Sequence, residues 1–286
     1  MNPKFYLRSR KLCFSLVMFF SLNMTAIAED ELRVCAEPDN LPFSNQKQEG
    51  FENKIATLLA GELNLKPRYL WEKQRQGYIK NTLEANRCDV IVGVPYGHAR
   101  LLTTKPYYRS GYVFVTQKER NLVIESFDDP ILRTLKIGLH AIGNDGSNSP
   151  PAHALAHRGI VNNIVGYSMW GDSSVENPQA QVIEAVAKGE IDIAIVWGPI
   201  GGYFATKYGE QLAVVLALAD VQMPKQPFSF DIAIGVRKDD SGLAAKLQQA
   251  LEEKRNEIEE ILTTYHIPLI KSSPDLVSSE ANGETN

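Results

Sequence analysis

The chain has 286 residues and a formal net charge of −4, a length that suits one large domain or two modest ones. Its first 28 residues contain four basic and no acidic residues, so the remainder carries a formal charge of −8. Nucleic acids and anionic membranes attract basic surfaces, so this acidic chain is a poor candidate for binding either of them.

The N-terminus has the pattern of a secretory signal peptide. Four basic residues precede an apolar run over 12–22, and Ala26 and Ala28 fit the small-x-small cleavage rule. We therefore predict a signal peptide over residues 1–28, cleaved after Ala28, and an exported mature chain. The apolar run is short for a membrane-spanning helix, which disfavours an uncleaved anchor and predicts no stable membrane insertion.

The segment after the leader alternates strand and helix patterns. The predicted elements are a strand over 31–37, a helix over 51–64, a strand over 66–71, a helix over 77–87 and a strand over 88–94. This βαβαβ order predicts a mostly parallel sheet covered by helices.

A second unit of the same kind follows. Its predicted elements are strands over 135–140, 160–168 and 191–198 and helices over 152–159, 178–189 and 199–209. The repeated order predicts a second parallel sheet with its own helices.

Two long strand patterns, 112–119 and 228–238, flank the second unit. We predict that the chain leaves one lobe on the first strand and returns on the second, ending with a helix over 242–265. The expected fold is α/β and bilobed, with two mostly parallel sheets flanked by helices and joined by two hinge strands. The alternative, two independent doubly wound domains in series, leaves residues 228–267 without a partner sheet.

These patterns divide the chain as follows. The predicted divisions are lobe 1 over 29–117 and 227–267, lobe 2 over 118–226, and a disordered tail over 268–286. The tail is polar and lacks periodicity, which is typical of disorder.

Two cysteines, Cys35 and Cys88, remain after the leader. An even count in an exported protein favours one disulfide, and each cysteine lies in or beside a predicted strand. Two buried free thiols are the alternative. Their spacing matches no redox or metal motif.

Several segments resemble a known family. The order "RVCAEPDNLPFSN", "NTLEANRCDVIVGVP", "TTKPYYRSGYVFV" and "GEIDIAIVW" resembles the type II periplasmic solute-binding fold of polar amino-acid transporters, over residues 31–267. The longer blocks "KPYYRSGYVFV" and "VAKGEIDIAIVWGPIGGYF" are similar to one branch in particular. That branch is the MoxJ/MxaJ/XoxJ family, the solute-binding-like component of pyrroloquinoline-quinone (PQQ) methanol dehydrogenase systems.

The resemblance implies a periplasmic accessory protein with a quinoprotein methanol dehydrogenase as its partner. Such a protein would assist assembly, cofactor loading or activation of the dehydrogenase, and it would not itself be an enzyme or hold a cofactor. The alternative is a substrate-binding receptor of an ABC transporter for a small solute other than a standard amino acid.

The resemblance also implies a cleft between the lobes that holds a partner segment or a small molecule. The candidate cleft residues are Asn40, Phe43, Phe51, Glu52, Tyr96, Arg100, Tyr107, Tyr108, Arg109, Gly143, Asn144, Asp145, Trp197 and Tyr203. Several of these have plainer alternatives: core packing for Phe43 and Phe51, hinge packing for 107–109, and an unliganded glycine-rich turn for 141–148.

The sequence lacks part of the set of charged residues that would hold an amino acid. In the transport relatives an arginine clamps the ligand carboxylate, and Arg100 is the nearest candidate, although its spacing to the following Pro-Tyr pair is short. The acid that holds the ligand ammonium is replaced by Trp197, and a buried ammonium without an anionic partner is costly. Zwitterionic amino acids are therefore disfavoured, unless Glu52 or Asp172 supplies the missing charge.

Catalytic and metal motifs are not found in the sequence. His153 and His157 are spaced to share a helix face but have no third ligand nearby, and no Gly-x-Ser-x-Gly elbow occurs. We therefore predict no metal site and no catalytic residues.

Overall fold

The computed structural model describes residues 30–124, 126–141, 148–169, 176–217, 220 and 222–271. The strands are β1 (Glu31–Ala36), β2 (Asp39–Asn40), β3 (Ser44–Asn45), β4 (Lys66–Trp71), β5 (Val90–Pro95), β6 (Leu102–Thr103), β7 (Tyr108–Gln117), β8 (Ile137–Ala141), β9 (Ile164–Ser168), β10 (Ile193–Trp197), β11 (Leu212–Leu216) and β12 (Ser229–Val236). The α-helices are α1 (Phe51–Glu62), α2 (Tyr78–Asn81), α3 (Pro150–His157), α4 (Gln181–Ala187), α5 (Gly198–Ala205), α6 (Ser241–Glu253) and α7 (Arg255–Thr264).

Each lobe has a three-stranded parallel core with the same order. In lobe 1, β1 pairs in parallel with β4 on one side and β5 on the other, and β12 adds antiparallel to β5. In lobe 2, β8 lies between β9 and β10 in parallel, and β7 adds antiparallel to β10. Strand β11 extends lobe 2 by pairing antiparallel with β7. The bilobed α/β fold predicted from the sequence is confirmed.

Strand β7 passes from one lobe to the other. Its first residues, 108–111, pair with β12, whereas residues 112–117 pair with β10 and β11. The return crossing lies beside it, because the N–H of Tyr112 donates to the carbonyl oxygen of Phe228 at 2.9 Å. The chain thus changes lobe at 111/112, inside β7, and at 228/229, where β12 begins, rather than at the predicted boundaries 117/118 and 226/227. A strand that crosses directly needs no linker.

The chain contacts this hinge a third time after α7. Leu269 forms a β-bridge with Ser110, and the Ser110 hydroxyl donates to the carbonyl oxygen of Pro268 at 2.7 Å. The N–H of Ile270 donates to the carbonyl oxygen of Arg109 at 2.9 Å. Residues 268–271 therefore stay packed beyond the predicted start of the disordered tail. The rest of that tail and the predicted signal peptide lie outside the described residues.

Apolar cores lie on the faces of the two sheets. On one face of lobe 1, α1, α6 and α7 bury Ile55, Leu59, Leu247 and Leu262 against the strands. In lobe 2, α4 and α5 cover one face, and α3 with the turn Pro130–Arg133 covers the other. No helix in the described ranges is long and apolar enough to cross a membrane.

The second face of lobe 1 is built around the predicted disulfide. Cys35 in β1 and Cys88 just before β5 are bonded, with their Cα atoms 5.5 Å apart. Both are at most 2% exposed and pack with Leu83, Ile91 and Leu101. The adjacent pairing of β1 with β5 is what brings the two sulfurs together.

Candidate functional site

A cavity of about 460 Å³ lies between the lobes. Its walls come from lobe 1, from the hinge strands β7 and β12, and from the carboxyl ends of β8 and β10 in lobe 2. The lining residues are Asn40, Phe43, Glu52, Gln74, Gly93, Pro95, Tyr108, Tyr112, His140, Ser149, Met169, Ile195, Val196, Trp197, Ile200, Phe230 and Ile232. Its size is that of a small-molecule site.

Glu52 is placed in the cavity wall by the first turn of α1. Its N–H donates to the carbonyl oxygen of Phe43 at 3.0 Å, which fixes the start of the helix. Behind it, Gly93 interrupts β5 with a φ of +84°, at a β-bulge opposite β12. A Cβ atom at Gly93 would collide with Oε1 of Glu52. The glycine therefore provides the space that the carboxyl group occupies.

Aromatic rings form much of the remaining wall. Trp197 ends β10 and caps the start of α5, and its ring centroid lies 5.6 Å from that of Tyr112 and 5.7 Å from that of Phe230. Phe43 and Tyr108 contribute two further rings from lobe 1 and the hinge. Because Tyr112 and Phe230 belong to the crossing strands, this aromatic wall spans the hinge.

Polar contacts join the two lobes beside the cavity. The Gln179 side-chain Nε2 donates to Oδ1 of Asn40 at 2.7 Å, and His140 Nε2 donates to the carbonyl oxygen of Gln179 at 3.1 Å. Burial lowers the pKa of His140 to about 4, so the ring is neutral near pH 7 and its Nδ1 holds a lone pair. Leu41, next to Asn40, is buried in the apolar core of lobe 2. The loop around residues 39–45 thus docks on lobe 2.

Glu52 contributes the carboxyl group in the described part of the cavity wall. Within the described part of the chain its carboxyl group makes no hydrogen bond or ion pair. Burial raises its pKa well above the usual range. The pKa of Tyr108 is likewise raised, first by burial and then by the nearby Glu52 carboxylate. The carboxyl group of the half-buried Glu52 therefore loses its proton at a higher pH than that of an exposed glutamate.

A second buried acid, Glu37, lies at the base of lobe 1. It is 3% exposed, and one carboxylate oxygen accepts a hydrogen bond from the N–H of Gln74 at 2.5 Å. Burial raises its pKa to about 7, against the lowering effects of that hydrogen bond and of Lys73. The folded state therefore binds a proton here that the unfolded state releases between about pH 4.5 and pH 7.

We expect Glu37→Gln to stabilise the protein at high pH only. The folded pKa is raised, so the wild-type unfolding free energy declines as the pH rises from about 4.5 through about 7. Glutamine keeps an acceptor for Gln74 without needing a proton. The gain should grow from near zero at about pH 4.5 to about 2 to 3 kcal/mol above pH 7, measured by urea denaturation. If Glu37→Gln changed the unfolding free energy by the same amount at about pH 4.5 and above pH 7, the raised pKa of Glu37 would be contradicted.

The structure brings five of the candidate cleft residues together. Asn40, Phe43, Glu52, Tyr108 and Trp197 all line the cavity.

Other candidates lie behind the cavity wall or at the hinge. Phe51 is fully buried in the lobe 1 core, and the buried hydroxyl of Tyr107 has no hydrogen-bond partner among the described residues. Arg109 binds Asp231 at 2.7 Å and Ser229 at 2.9 Å across the hinge strands. Tyr203 stacks on Tyr265, with ring centroids 5.7 Å apart, where α5 meets the end of α7. These residues support the fold around the cavity.

Arg100 and Tyr96 lie outside the cavity. The Arg100 guanidinium makes a bidentate pair with Glu84, with distances of 2.9 and 2.6 Å, on the exposed surface of lobe 1. Tyr96 is 50% exposed after the end of β5. Arg100 therefore does not offer a carboxylate clamp to the cavity. Gly143, Asn144 and Asp145 lie outside the described residues.

Several cavity residues were missed by the sequence analysis although signals for them exist. A glycine inside the strand pattern "VIVGVP" indicates a close approach by another group, which here is Glu52. His140 ends a predicted strand, at the sheet edge where ligands bind in α/β folds. Tyr112 and Phe230 lie in the predicted hinge strands. Gln74 and Met169 are carried by irregular segments that have no such pattern.

No group of three or more His, Cys, Asp or Glu side chains suited to a metal ion occurs in the described parts of the chain. The ring of the buried His140 is engaged with the carbonyl oxygen of Gln179.

The chain as a whole matches one protein family. The model of the bacterial extracellular solute-binding proteins, family 3, matches residues 32–267. The chain belongs to this family. Its paired parallel cores, its crossing strands and its interlobe cavity are the corresponding features of the structure.

Within the family 3 proteins, the chain is similar to MoxJ and XoxJ. It is 32% identical to protein MoxJ of Methylorubrum extorquens over 85% of this chain and 82% of that one, and 33% identical to protein MoxJ of Paracoccus denitrificans over 92% and 98%. The crystal structure of the periplasmic binding protein XoxJ from Methylobacterium extorquens matches with a TM-score of 0.69 and 35% identity, over 84% of this chain and 100% of that one. The resemblance to the MoxJ/MxaJ/XoxJ family is thereby confirmed.

Proposed function

We propose that this family 3 protein is a periplasmic accessory protein of a PQQ-dependent methanol dehydrogenase. It binds the dehydrogenase or a folding form of it and assists its assembly, cofactor loading or activation. The observation that carries the proposal is the identity of 32–35% with MoxJ and XoxJ over more than four fifths of the chain. The signal-peptide pattern over residues 1–28 supports a periplasmic location.

The cleft chemistry supports a role other than amino-acid transport. Trp197 occupies the end of β10, and Arg100 is paired with Glu84 on the surface. A zwitterionic amino acid would therefore enter a cavity without a described partner for its carboxylate. The mechanism would be closure of the cleft about the two crossing strands, with the binding energy of a partner segment gained in the closed state.

The test is association with the purified dehydrogenase. We expect the mature chain, immobilised through its C-terminus, to capture the apo or the mature dehydrogenase, and cross-linking to connect the two. Trp197→Ala should weaken capture if the cleft binds the partner, whereas Tyr208→Ala, an aromatic change in lobe 2 outside the cavity, is the matched control. No association with either form of the enzyme would contradict the proposal.

A second function is favoured by the interlobe cavity itself. A cavity of about 460 Å³ with aromatic walls and a few polar groups suits a receptor that delivers a small solute to an ABC transporter. Thermal-shift screening of the purified chain tests the receptor function, which requires a small molecule that raises the melting temperature, whereas capture of the dehydrogenase tests the accessory function.

A further inference from the structure

The interlobe cavity has an unusual charge balance. Its described walls contain the carboxyl group of Glu52 and the neutral imidazole of His140, but no lysine or arginine. The internal stretches of sequence outside the described residues contain no lysine or arginine either. A ligand that carries carboxylates or phosphates would have no cationic side chain to pair with there.

Glu52 is an acid that the fold accommodates without giving it a partner. Its backbone is fixed by the bond to Phe43, and its carboxyl group fits because Gly93 has no side chain. Within the described residues that carboxyl group has no hydrogen bond and no ion pair. Glu52 is half-buried and lines the cavity, so a ligand in the cavity is the natural source of a partner for its carboxyl group.

The aromatic rings around the cavity also favour a positively charged ligand. Phe43, Tyr108, Tyr112, Trp197 and Phe230 line the cavity, and the faces of such rings attract cations, Trp most strongly. An organic ammonium ion satisfies both features at once, because it offers a positive charge to the carboxylate and an apolar surface to the rings.

We propose that the interlobe cavity binds a small organic ammonium ion that lacks a carboxylate, held by the Glu52 carboxylate and by the aromatic wall that includes Trp197. Amino acids are disfavoured because Arg100, the candidate carboxylate clamp, is engaged by Glu84 outside the cavity. The proposal depends on the cavity alone and holds whether or not the dehydrogenase is the protein partner.

Binding of such a cation is linked to release of a proton. The raised pKa favours the protonated form of Glu52, whereas a bound ammonium ion favours the carboxylate, so binding is coupled to release of a proton to solvent. The titratable groups near Glu52 are Tyr69, Tyr78, Tyr107 and Tyr108 in lobe 1 and the hinge, Glu37 behind the cavity, and His140 from lobe 2. Of these, Glu37 titrates near pH 7, and it therefore requires its own control.

The probes are choline, its uncharged isostere 3,3-dimethylbutan-1-ol, and glycine betaine, which adds a carboxylate to the same cation. Isothermal titration of the mature chain at about pH 8 should show choline binding at least about tenfold more tightly than either of the other two. Choline affinity should fall toward about pH 6, by up to about tenfold per pH unit, and titrations in buffers of different ionisation enthalpy should report a released proton.

Three variants decide which groups are responsible. Glu52→Gln should remove the preference for choline over its isostere and the release of the proton, whereas the exposed-acid control Glu259→Gln should retain both. Glu37→Gln should leave the pH dependence of choline affinity in place. Thermal melts check that each variant is folded.

The proposal would be overturned by equal affinities for choline and the uncharged isostere. It would equally be overturned if choline failed to bind at concentrations up to about 10 mM, or if glycine betaine bound as tightly as choline. None of these results bears on capture of the dehydrogenase, so failure here and failure of the proposed function are separate outcomes.

Discussion

Replacing Asp220 with Asn is expected to lower the free energy of unfolding by about 3 kcal/mol or more. Asp220 and Arg158 form a bidentate pair at 2.6 and 2.8 Å, with side-chain exposures of 1% and 6%. Asparagine keeps the shape but leaves a buried guanidinium whose only remaining anionic partner among the described residues is Asp128, which is 42% exposed. Breaking a buried pair from one side costs more than the pair contributes, because the remaining charge stays desolvated.

Urea denaturation near pH 7 measures this effect, and the control is Glu210→Gln. That change removes the partner of Lys118 in a pair whose glutamate is 96% exposed, and it should cost less than about 1 kcal/mol. The double variant Arg158→Met, Asp220→Leu should recover much of the loss, since no charge then remains buried. A cost for Asp220→Asn as small as that of the surface control would show that the pair is not desolvated in solution.

Loss of the Cys35–Cys88 disulfide should have a comparable effect. The bond closes a loop with a sequence separation of 53 residues, for which the loop-entropy relation gives about 4 kcal/mol at 25 °C. We expect the double variant Cys35→Ala, Cys88→Ala to be destabilised by about this amount in urea. Its stability should respond little to dithiothreitol, whereas wild type should lose stability when reduced.

A thiol titration under denaturing conditions is the independent check. Wild type should show no free thiol in the mature chain before reduction and two after it. Two free sulfhydryls in the unreduced mature protein would contradict the disulfide.

The sequence was sufficient to predict most of the fold because its pattern is periodic. The strands of both parallel cores were anticipated from apolar runs bounded by helix signals, and the crossing strands from their length and position. Helix 77–87 was only partly correct: the structure has a single helical turn, Tyr78–Asn81, followed by turns. Ile79 and Leu83 still reach the core around the disulfide, so their spacing gave the right face but the wrong length.

Two other differences between the predicted and the observed elements involve contacts between segments that are far apart in sequence. The predicted helix over 242–265 divides at Lys254, whose ammonium group pairs with Glu62 of α1 at 3.2 Å. The apolar positions continue on the same side across the break, so periodicity alone does not reveal it. Strand β11 was not predicted, because its run "LAVVL" follows directly on a helical segment and only the free edge of β7 selects the extended form.

The site was less predictable than the fold. Trp197 and Glu52 can be proposed from the sequence, because Trp197 ends a predicted strand and Glu52 lies at the start of a predicted helix. Arg100 has the right residue type and the right place in the chain, but its guanidinium binds Glu84, a contact that no sequence pattern encodes. The sequence around Glu52 likewise does not reveal how far its side chain is buried. It is this burial that raises its pKa above that of an exposed acid.

Three separate segments of the chain meet at the hinge, and this connectivity makes the two lobes differ in how they can fold. Lobe 2 is one continuous stretch of sequence from Tyr112 to Phe228, whereas lobe 1 lacks a strand of its sheet until β12 and two of its helices until residue 264. The hydrogen bond between Ser110 and Pro268 joins residues 158 positions apart. Lobe 2 can therefore form from contacts within one stretch of chain, whereas lobe 1 is completed only when segments far apart in sequence meet. The interlobe cavity is lined by residues from Asn40 to Ile232, so it exists only once β12 has joined lobe 1, and a partly folded chain offers no complete binding site.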